Sequence, residues 1–181
     1  MNENSNFAEY TVSQKAEGKF LRRRILLIAG YILFAALYFW FFVMGPMKMP
    51  VFVSILPIFL WIIVFFTWRY VDLEHEYTIA SGVMTLSDVY GNRSRKTLFE
   101  TKVKDMSVIA PWNEESKAKL PNGITRTVNM LSSQKSPDAY YAICNVEGGQ
   151  KVLILFDAIE KALKLMKFYN ATAITITVTR Y

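Results

Sequence analysis

Hydrophobic and polar positions change rhythm twice along this chain. Two uncharged apolar runs, 25–44 and 51–68, come first, separated by Gly45-Pro46-Met47-Lys48-Met49-Pro50. A helix rises ~1.5 Å per residue, so a run of this length covers the ~30 Å hydrocarbon core of a bilayer. Neither run has a charged face to turn toward water, which argues against two buried helices of a soluble protein. So short a connection permits only an antiparallel hairpin. A cleaved signal peptide fits poorly, because the first run is too long, no small-x-small site follows it, and a second apolar run comes at once. We expect a membrane hairpin over 25–70, with helices at 25–44 and 51–70, an amino-terminal segment 1–24 and a domain over 71–181.

From Glu76 the rhythm becomes short alternating stretches punctuated by turn residues, as in an antiparallel sheet. Strands are expected at 77–80, 83–90, 93–99, 106–110, 125–131, 140–146 and 151–156, with turns at Ser81-Gly82, Gly91-Asn92 and Glu147-Gly148-Gly149. Stretches 111–123 and 132–138 read as exposed loops. Asp157, with Glu160 three residues on, predicts a capped helix to about Asn170. Ile159, Ala162, Leu163, Leu165, Met166 and Tyr169 give that helix a wide apolar face. The β-branched alternation over 171–179 predicts a last strand. Near the amino terminus, Ala8, Tyr10 and Val12 share one face of an extended segment 7–13, suited to docking on a sheet edge.

Charge adds orientation. Lys15, Lys19, Arg22, Arg23 and Arg24 precede the first span, whereas the connection holds only Lys48. Basic residues near a span stay on the cytoplasmic side, so both termini are expected in the cytosol and the hairpin in the cytoplasmic membrane. Arg22, Arg23, Arg24, Trp68, Arg69 and Tyr70 are placed for the membrane interface, against lipid headgroups. The formal net charge is +6, but residues 1–71 hold 7 basic and 3 acidic groups while 72–181 hold 14 and 12. A tail this balanced does not call for nucleic acid. The single cysteine, Cys144, cannot form an internal disulfide, which suits a reducing cytosol.

Candidate chemistry is sparse. His75 and Cys144 are the only histidine and cysteine, so triads and His/Cys metal sites lack parts, and Cys144 reads as core. No glycine-rich phosphate cradle is present. Asp72, Glu74 and Glu76 read as a solvated strand entrance rather than a cation collar. The apolar runs 25–44 and 51–68 carry no Asp, Glu, Lys, Arg or His, which leaves an ion pathway without groups. Neither catalysis nor a cofactor is expected. Arg93, Arg95 and Lys96, together with Lys102 and Lys104, form a candidate face for anionic lipid or an acidic protein, although a charged edge that blocks sheet aggregation is the plainer reading. Trp112, beside Pro111 in an exposed loop, is the best single candidate contact.

The tyrosine-led strand of Glu76-Tyr77-Thr78-Ile79-Ala80, the Ser81-Gly82 turn, the strand from Val83 and the final amphipathic helix resemble bacterial pleckstrin-homology-like domains that follow membrane helices. More closely, the chain resembles an uncharacterised bacterial family of small two-helix membrane proteins. Glu9-Tyr10 ahead of a basic stretch, the hairpin, Ile109-Ala110-Pro111, Tyr140-Tyr141-Ala142 and Glu147-Gly148-Gly149 carry that likeness. It implies an α+β membrane protein: a two-helix transmembrane hairpin followed by a PH-like antiparallel β-sandwich or barrel with a carboxy-terminal helix. The family brings no assigned activity and so no functional residue. The expected function is that of a membrane-anchored adaptor binding lipid, a protein partner or a second copy; the rival is an accessory subunit of a membrane enzyme or transport complex.

Overall fold

The computed structural model describes residues 6–91, 94–146 and 148–175. The chain forms two units, one of residues 15–73 and one of residues 1–14 with 74–181.

The first unit is the expected hairpin. Helix α1 (Gly18–Phe39) runs on into a wider π-type turn (Trp40–Met44), and a 3-10 segment (Pro50–Ile55) leads into α2 (Leu56–Thr67) and a 3-10 turn (Trp68–Tyr70). Each continuous helical stretch, Gly18–Met44 and Pro50–Tyr70, is long and apolar enough to cross a membrane. The π-type turn ends at Gly45, whose N–H donates to the Trp40 carbonyl at 2.7 Å. A Cβ there would lie 2.7 Å from the Phe41 carbonyl oxygen, so the position requires glycine. Because α1 begins at Gly18, Arg22, Arg23 and Arg24 sit inside the helix rather than ahead of it. Pro57 falls in the first turn of α2, where its missing N–H is harmless. Polar groups tie the two helices together: the Arg24 guanidinium donates to the Val71 carbonyl at 3.2 and 3.0 Å, and Tyr31 and Thr67 hydroxyls lie 2.6 Å apart. Tyr38 donates to the Phe52 carbonyl, and its ring packs on Phe42.

The second unit contains two four-stranded sheets. The first, in the order β1-β2-β3-β4, holds β1 (Phe7–Ser13), β2 (Leu73–Ala80), β3 (Val83–Tyr90) and β4 (Ser94–Lys102). The second holds β5 (Met106–Pro111), β6 (Ile124–Met130), β7 (Ala139–Val146) and β8 (Gln150–Asp157), ordered β5-β7-β8-β6. Ala8, Tyr10 and Val12 do share a face: they lie opposite Ile79, Tyr77 and His75 in the antiparallel β1–β2 register. Pairing departs from the expected pattern once, since β6 runs parallel to β8. The chain leaves β6, passes over β8 to form β7 on its far side, and returns by the hairpin; β6 and β8 then point the same way.

Tyr77, Ile79, Met84 and Leu86 of the first sheet meet Tyr140, Ala142, Ile154 and Phe156 of the second in one buried core. Helix α4 (Glu160–Tyr169) adds Ala162, Leu163 and Met166 to it. Burying a side chain the size of leucine or methionine stabilises by roughly 1.5–3 kcal/mol, so this face fixes the helix. The other face of the second sheet is apolar too, and 111–123 is not simply an exposed loop. It includes α3 (Glu114–Ala118), whose first turn is closed by reciprocal bonds between Asn113 and Ser116. Trp112, Leu120 and Ile124 pack there with Leu131, Tyr141, Ile143, Leu153 and Leu155. Two covered faces explain why β7 and β8 read as continuous apolar runs rather than alternating ones.

Asp157 does not cap α4. It ends β8, its Oδ2 accepts from the Ser132 amide at 2.8 Å, and the helix starts after Ile159 without a side-chain cap. The other end is anchored by Asn170, whose Nδ2 donates to the Val103 and Met106 carbonyls at 3.0 and 2.8 Å. The expected strand over 171–179 is not formed where it is described: 171–173 make a turn and Ile174 an isolated parallel bridge with Ile109 of β5, while 176–179 lie outside the described residues.

Candidate binding surface

The basic residues singled out in the sequence do not form one patch. Arg93 lies outside the described residues. Six residues along β4 separate Lys96 from Lys102, about 20 Å at ~3.3 Å per residue. At the near end, Arg95 is bound to the buried Glu76 carboxylate at 2.6 Å, and Lys96 stands opposite the buried Asp88. Glu76 is therefore no part of a solvated strand entrance: on the face of β2 opposite to Tyr77 and Ile79, its carboxylate is buried beneath the Arg95 guanidinium. Arg126, which sequence reading passed over, reaches across from β6 to donate to the Leu98 carbonyl at 3.0 Å and lies over the Phe99 ring.

At the far end, Lys102 and Lys104 line a cavity of about 300 Å³ with Ser81, Gly82, Val83 and Tyr169. Ser81 and Gly82 form the β2–β3 turn with φ of 50° and 80°. The Tyr169 ring packs so closely that a Cβ on Gly82 would lie 2.9 Å from Cδ1; glycine is needed for both conformation and space. Among the described residues neither lysine forms an ion pair, and no carboxylate lines the cavity. An adjoining cavity of about 310 Å³ shares Lys102 but is lined by Glu100 and Asp105 as well. Only the first is a basic concavity without its own counter-charge.

Trp112 is half-buried rather than exposed. Its ring centroid lies 5.7 Å from that of Tyr141, edge to face, and the Lys117 ammonium sits 5.6 Å above it. In the hairpin, Arg24 is spent on Val71, while Arg69 donates to the Tyr70 hydroxyl at 2.9 Å and stacks on that ring, with Trp68 in the same turn.

Sequence reading missed a buried polar row. His75 Nδ1 lies 2.7 Å from Asp88 Oδ1 and Nε2 lies 2.6 Å from Gln14 Oε1; Gln14 Nε2 donates to the Ser132 carbonyl at 3.4 Å. The signal was present, since His75 shares the parity of Tyr77 and Ile79 and must point inward with them. Cys144 is buried, and burial pushes its thiol up to about 11. Desolvation, then the charge of Asp88, raises the Tyr90 phenol above its ordinary value.

No curated protein and no solved structure matches the chain. A family model described as "Bacterial PH-like domain (DUF6106)" matches residues 4–176, a span that takes in β1, both apolar helices, both sheets and α4. The chain belongs to this bacterial PH-like family.

Proposed function

We propose that this chain is a non-enzymatic, membrane-anchored adaptor whose PH-like domain, on the cytosolic side, takes an anionic lipid headgroup. The cavity between the Ser81-Gly82 turn and Lys102 and Lys104 carries the reading, because it joins concavity, two unpaired cations and a turn of small residues. An anionic headgroup supplies what this cavity lacks. The hairpin supports the anchoring. Pairing of β1 with β2 supports the topology: these strands flank the hairpin in sequence, so both flanks belong on one side of a membrane, and the basic residues ahead of the first span favour the cytosol.

The test uses the full chain in neutral detergent micelles, titrated with a short-chain phosphatidic acid while backbone amide resonances are followed. Saturable shifts at Ser81, Gly82 and Lys104 are expected, weakened by Lys102→Gln with Lys104→Gln and by salt, since exposed charges are screened over ~8–10 Å. Unchanged resonances at these positions at low salt would sink the proposal and turn attention to an acidic protein partner.

A further inference from the structure

The inward face of the first sheet ends in polar side chains. Gln14 follows Ala8, Tyr10 and Val12 of β1, His75 follows Ile79 and Tyr77 of β2, and Asp88 follows Met84 and Leu86 of β3. His75 and Asp88 are buried, at 6% and 8% exposure. Hydrogen-bond chemistry assigns the protons. The Ser132 carbonyl only accepts, so the Gln14 amide nitrogen faces it and Gln14 Oε1 faces His75 Nε2, which must then donate. A carboxylate likewise only accepts, so Nδ1 donates to Asp88. Both ring nitrogens are donors only in the imidazolium. In this arrangement, removing the Nε2 proton sets a lone pair against Gln14 Oε1 at 2.6 Å, and turning the amide over gives up its 3.4 Å bond to the Ser132 carbonyl.

We propose that doubly protonated His75 is a latch that holds the amino-terminal strand β1 on the sheet through Gln14, and that loss of a ring proton releases the strand. The charged and titratable groups around the ring fit this. From β3 come Asp88 and, on its other oxygen at 3.4 Å, the Tyr90 hydroxyl; from β4, Lys96 opposite Asp88 and Arg95, which occupies Glu76. From β1 comes Ser13, which donates to Glu74 on the ring's own strand, and the 131–138 segment presents Ser132. Asp88 is the anion in direct contact with the ring. The chain runs from Gln14 to the first apolar helix at Gly18 within four residues, so the latch governs whether the segment leading into that helix is tethered to the sheet. The latch is independent of what the domain binds.

His75 is the only histidine, which makes the experiment direct. The full chain, labelled with 15N-histidine and held in detergent micelles, shows the two ring nitrogens of this residue alone, and amide exchange of β1 and β8 is followed across the same pH series. The latch predicts that both nitrogens carry protons while β1 is protected. As the ring loses one proton, β1 protection falls about ten-fold beyond the intrinsic pH effect with the same midpoint, while β8 is unchanged. In Gln14→Met, which keeps the side-chain length and removes the acceptor, the step in β1 protection disappears. A neutral ring with β1 still docked, a β1 that ignores the ring's titration, or a step that persists in Gln14→Met would each overturn the latch.

Discussion

Strand β4 carries basic side chains at both ends, and the ends differ in what faces them. At the near end the buried Glu76 carboxylate pairs with Arg95, and Lys96 stands across the β3–β4 register from the buried Asp88, whose carboxylate is held by His75. At Lys102 and Lys104 the cavity they share is walled by a glycine turn and a tyrosine ring and lined by no carboxylate, the Glu100 and Asp105 side chains lining the adjoining cavity. Equal charge along a strand thus becomes internal cement at one end and open valence at the other. The partner's burial decides which, because a carboxylate taken out of water needs a cation or donor, whereas an exposed lysine needs nothing.

The sharpest way to break this comparison is to remove a buried anion. Asp88→Ala leaves the buried His75 and the Tyr90 hydroxyl without their acceptor, and removing one partner of a buried pair costs about 3–5 kcal/mol. Denaturant unfolding of the full chain should lose stability on that scale, whereas Lys102→Gln should stay within ~0.5 kcal/mol. Equal, small effects at both positions would erase the distinction.

Next in size is Gly82→Ala. A positive φ disfavours any side chain by about 1 kcal/mol, and the added Cβ must also displace the Tyr169 ring. A loss of roughly 1–3 kcal/mol is expected, together with loss of headgroup binding at the far end while the Arg95–Glu76 pair persists. Full stability with full binding would show that the turn and ring do not shape the cavity.

What was legible in the sequence follows from the range of the interactions involved. Unbroken apolar runs declare a hairpin, and alternation places strands to within a few residues, including the docking face of Ala8, Tyr10 and Val12. The partners of each strand are long-range and leave no local mark: the parallel β6–β8 pair needs the chain between β6 and β7 to cross over β8. Asp157 and Glu160 have the spacing of a capping box, yet Ser132 takes the carboxylate through a contact that local spacing does not reveal. A run of polar residues hid α3, because the apolar side chains that cover the sheet, Trp112 and Leu120, flank the helix and are not part of it. The basic cluster looked compact because its members are close in sequence, whereas an extended strand carries Lys96 and Lys102 about 20 Å apart.

Alkaline pH separates core failure from loss of the far-end site. Burial raises the Cys144 thiol from its ordinary 9.0 to about 11, so the folded state holds this proton more tightly than the unfolded chain does. The resulting contribution to stability is complete below pH 9 and is lost as pH rises from 9 toward 11. In the intact protein at pH 8, iodoacetamide should modify Cys144 only slowly, because the thiolate is the reactive form and the side chain is buried. Labelling should accelerate in Asp88→Ala and remain slow in Lys102→Gln. Rapid labelling of the unaltered chain would show that the core around β7 opens readily.

The smallest expected effect belongs to Lys96→Gln, and it tests the near end directly. Lys96 is exposed and stands opposite Asp88, but the carboxylate's closest partner is His75 at 2.7 Å. An exposed charge near a buried pair contributes about 0–1 kcal/mol, so unfolding should shift by no more than ~0.5 kcal/mol. Headgroup binding should be unchanged as well, because Lys96 lies about 20 Å along β4 from the cavity, beyond the ~8–10 Å over which salt leaves such charges in communication. If Lys96→Gln weakens headgroup binding as much as Lys104→Gln does, the two ends act as one electrostatic surface. The anion would then be read by the whole strand rather than by the cavity at its far end.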